Sequence, residues 1–232
     1  MHVERLIEIL TSKELILRQP EQWDDPFENY ILKKSRDERR FKTSADIYGQ
    51  CWTLLQESDA MWRIYSPDKM GVKVRSSLHK LFSQFWHELE IRKNPSSACF
   101  IGKVEYVHSN VFIKMDARTK LLLFENGEFN EQYAALTLLW KRPEFRHEEE
   151  VRLLYVVKHR GSGLGKGMAA LLPYSEFASL ATFSFTVDPW TLFDEIVLDP
   201  RMNEHTCKAY EAYILGLGFP GRIFQSSLYK LE

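Results

Sequence analysis

The clearest alternation of polar and apolar positions begins where Phe145-Arg146-His147-Glu148-Glu149-Glu150 passes into Val151-Arg152-Leu153-Leu154-Tyr155-Val156-Val157. From Glu148 onward the period is two, which predicts a half-buried β-strand. On that period Glu148, Glu150 and Arg152 share one face, and Glu149, Val151, Leu153 and Tyr155 share the other. Two carboxylates beside a guanidinium at the mouth of a strand form a candidate chemical site. Neighbouring carboxylates raise each other's pKa, and a cation lowers both. The same residues fit a surface Glu–Arg pair on a strand edge, or an i,i+4 pair at a helix end. The local pattern alone favours that plainer ion pair, because structural pairs produce such clusters too.

The rest of the chain punctuates itself into short elements. Leu6, Ile7 and Leu10 predict an amphipathic helix ending near Thr11-Ser12, and Leu15 to Gln19 a strand stopped by Pro20. Gln22-Trp23-Asp24-Asp25-Pro26-Phe27-Glu28 reads as an acidic turn anchored to the core by Trp23 and Phe27. Asn29 to Phe41 reads as a helix with a solvated basic face of Lys33, Lys34, Arg36, Arg39 and Arg40, broken by Asp37 and Glu38. Tyr48 to Leu55 alternates as a strand, and Ser58-Asp59 caps a short helix bearing Met61, Trp62 and Tyr65. Met70 to Val74 is a further strand, and Leu78, Leu81, Phe82, Phe85 and Leu89 mark a helix from Ser77 to Ile91. His79 and His87 on it are too sparse for a metal site. Cys99 to Val107 predicts a strand, Phe112 to Glu125 a helix, and Phe129 to Trp140 a second helix before Pro143. Phe183 to Val187 and Phe193 to Leu198 predict strands, Asn203 caps a helix with Tyr210, Tyr213, Ile214 and Leu217, and Ile223 to Leu228 is a last strand. Short strands separated by helices, with no repeat or linker, predict one α+β domain over residues 1–232, with mixed and antiparallel sheets.

Composition narrows the function classes. A net charge of −1 gives no global field toward nucleic acid or an acidic membrane. No apolar run reaches membrane-spanning length, and no signal peptide is visible. Cys51, Cys99 and Cys207 are far apart and odd in number, which points to a reducing cytoplasm rather than a disulfide framework. The loop Arg160 to Gly167 fails the Walker pattern, because Lys166 precedes Gly167 where a Ser or Thr is needed, and the dinucleotide fingerprint, because Lys166 stands where its last Gly belongs. There is no H-E-x-x-H, nucleophile elbow or zinc spacing, so no metal ligands are assigned.

Several pieces recur in a known order. Trp23-Asp24-Asp25-Pro26-Phe27-Glu28, Cys51-Trp52-Thr53, Met61-Trp62-Arg63-Ile64-Tyr65 with Gly71, then Lys141 and Phe145 with Glu148, Glu150 and Arg152 resemble the bacterial family called domain of unknown function 2971. Glu195 to Pro200 and Ser226 look similar as well. Asp24 stands where that family usually has Asn, and Trp52 where it has Phe. A looser resemblance is to ADP-ribosyltransferases, through His2, then Tyr65, then Glu148-x-Glu150. It implies that Glu150 stabilises the oxocarbenium-like ribose of NAD, Glu148 orients the acceptor and Tyr65 stacks on nicotinamide. His2, Arg18, Trp62 and Arg152 are the implied NAD-binding residues, with Arg18 on the pyrophosphate. The implied setting is a cytoplasmic toxin–antitoxin or phage-defence effector with a nucleic-acid or protein acceptor, an antitoxin partner and no membrane. Two alternatives stay open: a non-catalytic binding module using the basic helix, and a metal-dependent hydrolase using Asp24, Asp25, Glu148 and Glu150.

Overall fold

The alternating run folds as a strand, Glu150–Lys158, that lies between two others over residues 151–157. Ala45–Thr53 pairs antiparallel on one side and Ser97–Lys103 antiparallel on the other, with Cys51 opposite Arg152 and Gly102 beyond it. The computed structural model describes residues 1–28, 30, 45–92, 97–108, 110–111, 124–125, 128–158 and 181–231. Those residues form mixed α+β structure with antiparallel sheets and flanking helices, as the patterning predicts. By contact density the chain forms two units. One comprises Met1–Leu15, Leu55–Lys93 and Ser184–Glu232, and the other Ile16–Leu54 and Asn94–Phe183.

The second unit is built on the central strand. Residues Val151 to Val157 are all buried, so both faces are covered rather than one. One face packs Ile47, Leu154 and Val156 against Ala134, Ala135 and Leu138 of the helix Glu131–Thr137 and its end. Asn130 caps that helix, its side chain accepting from the Tyr133 N–H at 3.1 Å. Trp23 and Tyr30 close the same core. A Cβ on Gly49 would stand 2.6 Å from Trp23 Cζ2, so only glycine lets the indole lie flat on the sheet. On the other face Tyr155 packs on Phe183, ring centroids 4.5 Å apart.

The first unit carries a three-stranded sheet. Its middle strand, Glu195–Leu198, is parallel to Arg222–Gln225 and antiparallel to Val72–Arg75. Val3–Ser12 is the expected amphipathic helix, burying Val3, Leu6, Ile9 and Leu10. Leu81 and Phe85 are the buried stripe of the helix Leu78–Arg92, and Phe85 meets Phe185 at 4.6 Å. His79 and His87 are exposed on it. Ser58 caps Asp59–Tyr65, and Asn203 caps Glu204–Gly216. The spacing from Trp62 to Gly71 acquires a reason here. Ser66 Oγ accepts the Gly71 N–H at 2.8 Å, and a Cβ on Gly71 would fall 2.5 Å from the Ser66 Cβ. Arg201, itself held by the fully buried Asp199, donates to the Trp62 and Ser66 carbonyls at 2.9 and 2.7 Å. Gly71→Ala is therefore expected to destabilise the protein by about 1–3 kcal/mol through overpacking, read as a lower urea midpoint at unchanged slope.

Several element boundaries differ from the pattern. The strand begins at Glu150, not Glu148, because Pro143–Glu148 forms a 3-10 turn and Glu149 sits in the left-handed region at φ 42°. The predicted Phe129–Trp140 helix is shorter at both ends, since Phe129 pairs in a two-residue strand and Trp140 in another. Phe124-Glu125 is a strand paired with Glu128-Phe129, not the end of a helix; the rest of the predicted Phe112–Glu125 helix lies outside the described residues. The same holds for the basic stretch 33–40 and the loop 160–167. The predicted strand from Cys99 to Val107 is two, Ser97–Lys103 and Glu105–Tyr106.

Candidate functional site

Four local devices bring charged side chains to the polar end of the second unit's core. The Asp-Pro turn folds on itself, with Asp25 accepting the Phe27 N–H at 3.1 Å on its side chain and the Glu28 N–H at 3.1 Å on its carbonyl. That turn sends Glu28 inward. Lys141 enters from the strand Trp140–Lys141, which runs parallel to Glu105–Tyr106. The left-handed Glu149 lets Glu148, at the end of the 3-10 turn, converge with Glu150 at the start of the strand. Arg152 follows two residues on, over the Trp23 ring with its guanidinium carbon 4.4 Å from the centroid.

The result is a buried network of three carboxylates and two cations. Arg152 Nε donates to Glu150 Oε1 at 2.7 Å, and Nη2 donates to Glu150 Oε2 at 3.0 Å and to Glu28 Oε2 at 2.7 Å. Its Nη1 donates to the Leu138 carbonyl at 2.5 Å. Lys141 Nζ lies among all three acids, 2.5 Å from Glu148 Oε2, 3.0 Å from Glu150 Oε2 and 3.1 Å from Glu28 Oε1. Its ammonium also lies over Phe145, 4.6 Å from the ring centroid. Arg152 is 0% exposed and Glu150 3%. Tyr106 closes the edge, its hydroxyl accepting the Glu150 N–H at 3.0 Å. Arg142 extends the network outward, donating to the buried Asp25 at 3.0 Å and stacking on Phe27.

Burial and pairing act oppositely on these groups. Burial alone would push the Glu150 carboxyl up, but the Arg152 hydrogen bonds and charge, with the Cys51 and Lys141 contacts, hold it below the ordinary glutamate value. Burial wins at Glu28, which stays above that value despite Arg152 and Lys141. Burial would lower Lys141, but the carboxylates around it outweigh this and hold it protonated, so it is no free amine nucleophile. Cys51 is an exposed residue on its strand, yet its thiol lies against Glu150. Loss of hydration at the sulfur and the Glu150 charge raise it well above a normal thiol.

The family described as protein of unknown function DUF2971 matches residues 61–153. That stretch is less than half of the chain, but it holds Met61 to Tyr65, Gly71, Lys141, Phe145, Glu148, Glu150 and Arg152, the middle part of the motifs that carry the resemblance. Glu28, Cys51 and Trp23 lie outside it. The looser likeness to ADP-ribosyltransferases rests on the order of His2, Tyr65 and Glu150 alone. No curated protein and no solved structure matches the chain.

Of the residues singled out by sequence, Glu148, Glu150 and Arg152 come together in the second unit. The plain surface pair is overturned, since all three are buried. Arg152 presents no surface to a ligand and acts by holding Glu28 and Glu150. Arg18 is exposed at the end of its strand. The other candidates belong to the first unit. His2 caps the first helix, its Nδ1 accepting the Glu4 N–H and its Nε2 3.0 Å from Asp68. His2 also bridges to Gly71, whose N–H donates to Ser66, so it shares a contact node with the helix that carries Tyr65. Tyr65 is 52% exposed, whereas Trp62 is buried with its indole N–H donating to Glu57. Asp24 is exposed while Asp25 turns in to Arg142, so the two do not converge. Among the described residues no group of three or more His, Cys, Asp or Glu is placed to hold a metal ion, and Lys141 fills the point between the three glutamates. Among them also, no helix is long and apolar enough to cross a membrane.

Reasoning from the strand alone missed Glu28 and Lys141 as members of the network. Both belong to the motifs, and both are long charged residues directly after an aromatic, Phe27 and Trp140. That is the available signal, because a charge set among large apolar residues is buried only when paired.

Proposed function

We propose that the chain is an ADP-ribosyltransferase-like enzyme that takes NAD as substrate, with Glu150 as its anionic centre. The observation that carries the reading is the setting of that carboxylate, almost wholly shielded from water and hydrogen-bonded by Arg152 and Lys141, whose charges favour its ionised form. Breaking the bond between ribose C1′ and the nicotinamide nitrogen sends the electron pair out with nicotinamide and leaves positive charge on the sugar. A fixed anion in a dry, preorganised setting lowers the energy of that charge. With all five groups charged, three carboxylates against two cations leave the cluster one negative charge in surplus. Glu148, on the same ammonium, is the group to orient an acceptor hydroxyl or amine for attack at C1′. His2 and Tyr65 lie in the first unit and contribute nothing to this support. A toxin–antitoxin or phage-defence role, with a nucleic-acid or protein acceptor and an antitoxin partner, is the setting that the looser resemblance would imply, and the cysteine usage would put it in the cytoplasm.

A second reading draws on the saturation of Glu150, both of whose oxygens are taken by Arg152 and Lys141. On it, the chain is a non-catalytic binding module and the network only specifies the fold. The purified protein separates the two. Release of nicotinamide from NAD in the presence of nucleic-acid or protein acceptors is expected. NAD that stays intact with every acceptor, at protein concentrations comparable to the substrate, removes the enzymatic reading.

A further inference from the structure

Glu28 stands apart from the Glu-x-Glu pattern and from the matched stretch, yet it touches both cations that hold Glu150. Its Oε2 is 2.7 Å from Arg152 Nη2 and its Oε1 3.1 Å from Lys141 Nζ. Arg152 Nη2 is shared, reaching Glu150 Oε2 at 3.0 Å, and so is Lys141 Nζ, at 3.0 Å from the same oxygen. Glu28 is therefore a competitor for the charges that would otherwise neutralise Glu150. We propose that Glu28 is the positioning residue of this site, dividing Arg152 and Lys141 with Glu150 so that the cluster keeps a net negative charge. The inference rests on the reading of Glu150 as the anionic centre, but the charge division it describes is measurable without NAD.

The groups around Glu28 come from every element packed on it. They are Lys141 from the short parallel pair, Arg142 just after it and itself paired with Asp25, Arg152 and Glu150 from the central strand, and Cys51 from the strand beside it, while Glu148 reaches it through Lys141. Without the Glu28 charge, two cations face two carboxylates and the surplus disappears. The Cys51 thiol is a built-in reporter, because it feels the charges of Glu150, Arg152 and Glu28 together. Glu28 also stands above the ordinary glutamate value and Glu150 below it, so acidification protonates Glu28 first.

Glu28→Gln keeps the shape and removes the charge. The pH dependence of Cys51 alkylation by iodoacetamide, followed by peptide mass spectrometry, is expected to move to lower pH in this variant. Nicotinamide release is expected to fall about tenfold or more in kcat, with little change in KM for NAD and with the acid limb displaced. Glu28→Asp retains the charge and is expected to leave the Cys51 titration near its wild-type position. A folded Glu28→Gln with an unmoved Cys51 titration overturns the proposal, as does an equal movement in Glu28→Asp, which would mean loosened packing. A moved Cys51 titration with no NAD turnover in any form supports the charge division and overturns the enzymatic reading instead. Should Glu28→Gln not fold, side-chain carboxyl NMR of the wild type decides: a second inflection in the Glu150 carboxyl shift at the pH where Glu28 titrates supports the proposal, and its absence overturns it.

Discussion

Replacing Arg152 by Met is expected to lower the free energy of unfolding by about 3–5 kcal/mol, the range seen when one partner of a buried ion pair is removed. Met fills much of the volume but leaves Glu150 and Glu28 facing each other with only Lys141 between them. It also strands the Leu138 carbonyl and uncovers the Trp23 ring. For a chain of this length the melting temperature should drop by roughly 6–20 °C, measured by calorimetry alongside urea titration. The deficit carries a pH signature. Glu150 has a depressed folded value, so its contribution is present above the unfolded-state value and is lost as pH falls through the folded one. Glu28 has a raised value, so it contributes in the opposite sense, favouring the fold as pH falls. The penalty of Arg152→Met should therefore be largest near neutrality and shrink in acid, where the stranded carboxylates take up protons. A loss within about 1 kcal/mol at neutral pH would mean that water reaches the network and that it is not the sealed cluster described above.

Glu150→Gln is expected to reduce nicotinamide release by about 10²–10³-fold while the far-ultraviolet spectrum is kept. One unit charge about 4–5 Å from a developing cation contributes roughly 3–4 kcal/mol at an effective dielectric near 20, and each 1.36 kcal/mol is about tenfold in rate. Gln preserves the shape and one acceptor for Arg152, so stability should change less than in Arg152→Met. Turnover within about threefold of wild type in the folded variant would exclude Glu150 as the anionic centre.

How much of this was legible beforehand depended on whether local pattern or distant pairing decided the matter. The caps at Ser58 and Asn203 were visible because a cap is a contact between near neighbours. The convergence of Glu148, Glu150 and Arg152 was visible as well, although for a different reason than strand periodicity: a left-handed Glu149 joins a 3-10 turn to a strand and still aims both acids the same way. The depth of burial was not visible, since alternation looks alike whether one face or both are covered. Lys141 and Glu28 were hidden as partners because their role depends on pairings across 9 and 124 positions with the central strand. The exposure of Tyr65 beside a buried Trp62 also went unseen, for nothing in Met61-Trp62-Arg63-Ile64-Tyr65 says which aromatic faces in.

The strand that delivers Glu150 and Arg152 has a paired strand on each flank over residues 151–157. Its charged mouth and its oily interior lie on one sheet face, sharing Leu138 and Trp23 as a boundary. Opening the apolar part means unzipping two ladders, so that part should open as a single cooperative block. The charged mouth, whose Glu28, Lys141 and Glu148 come from turns and a two-residue strand outside those ladders, is the part that can loosen on its own.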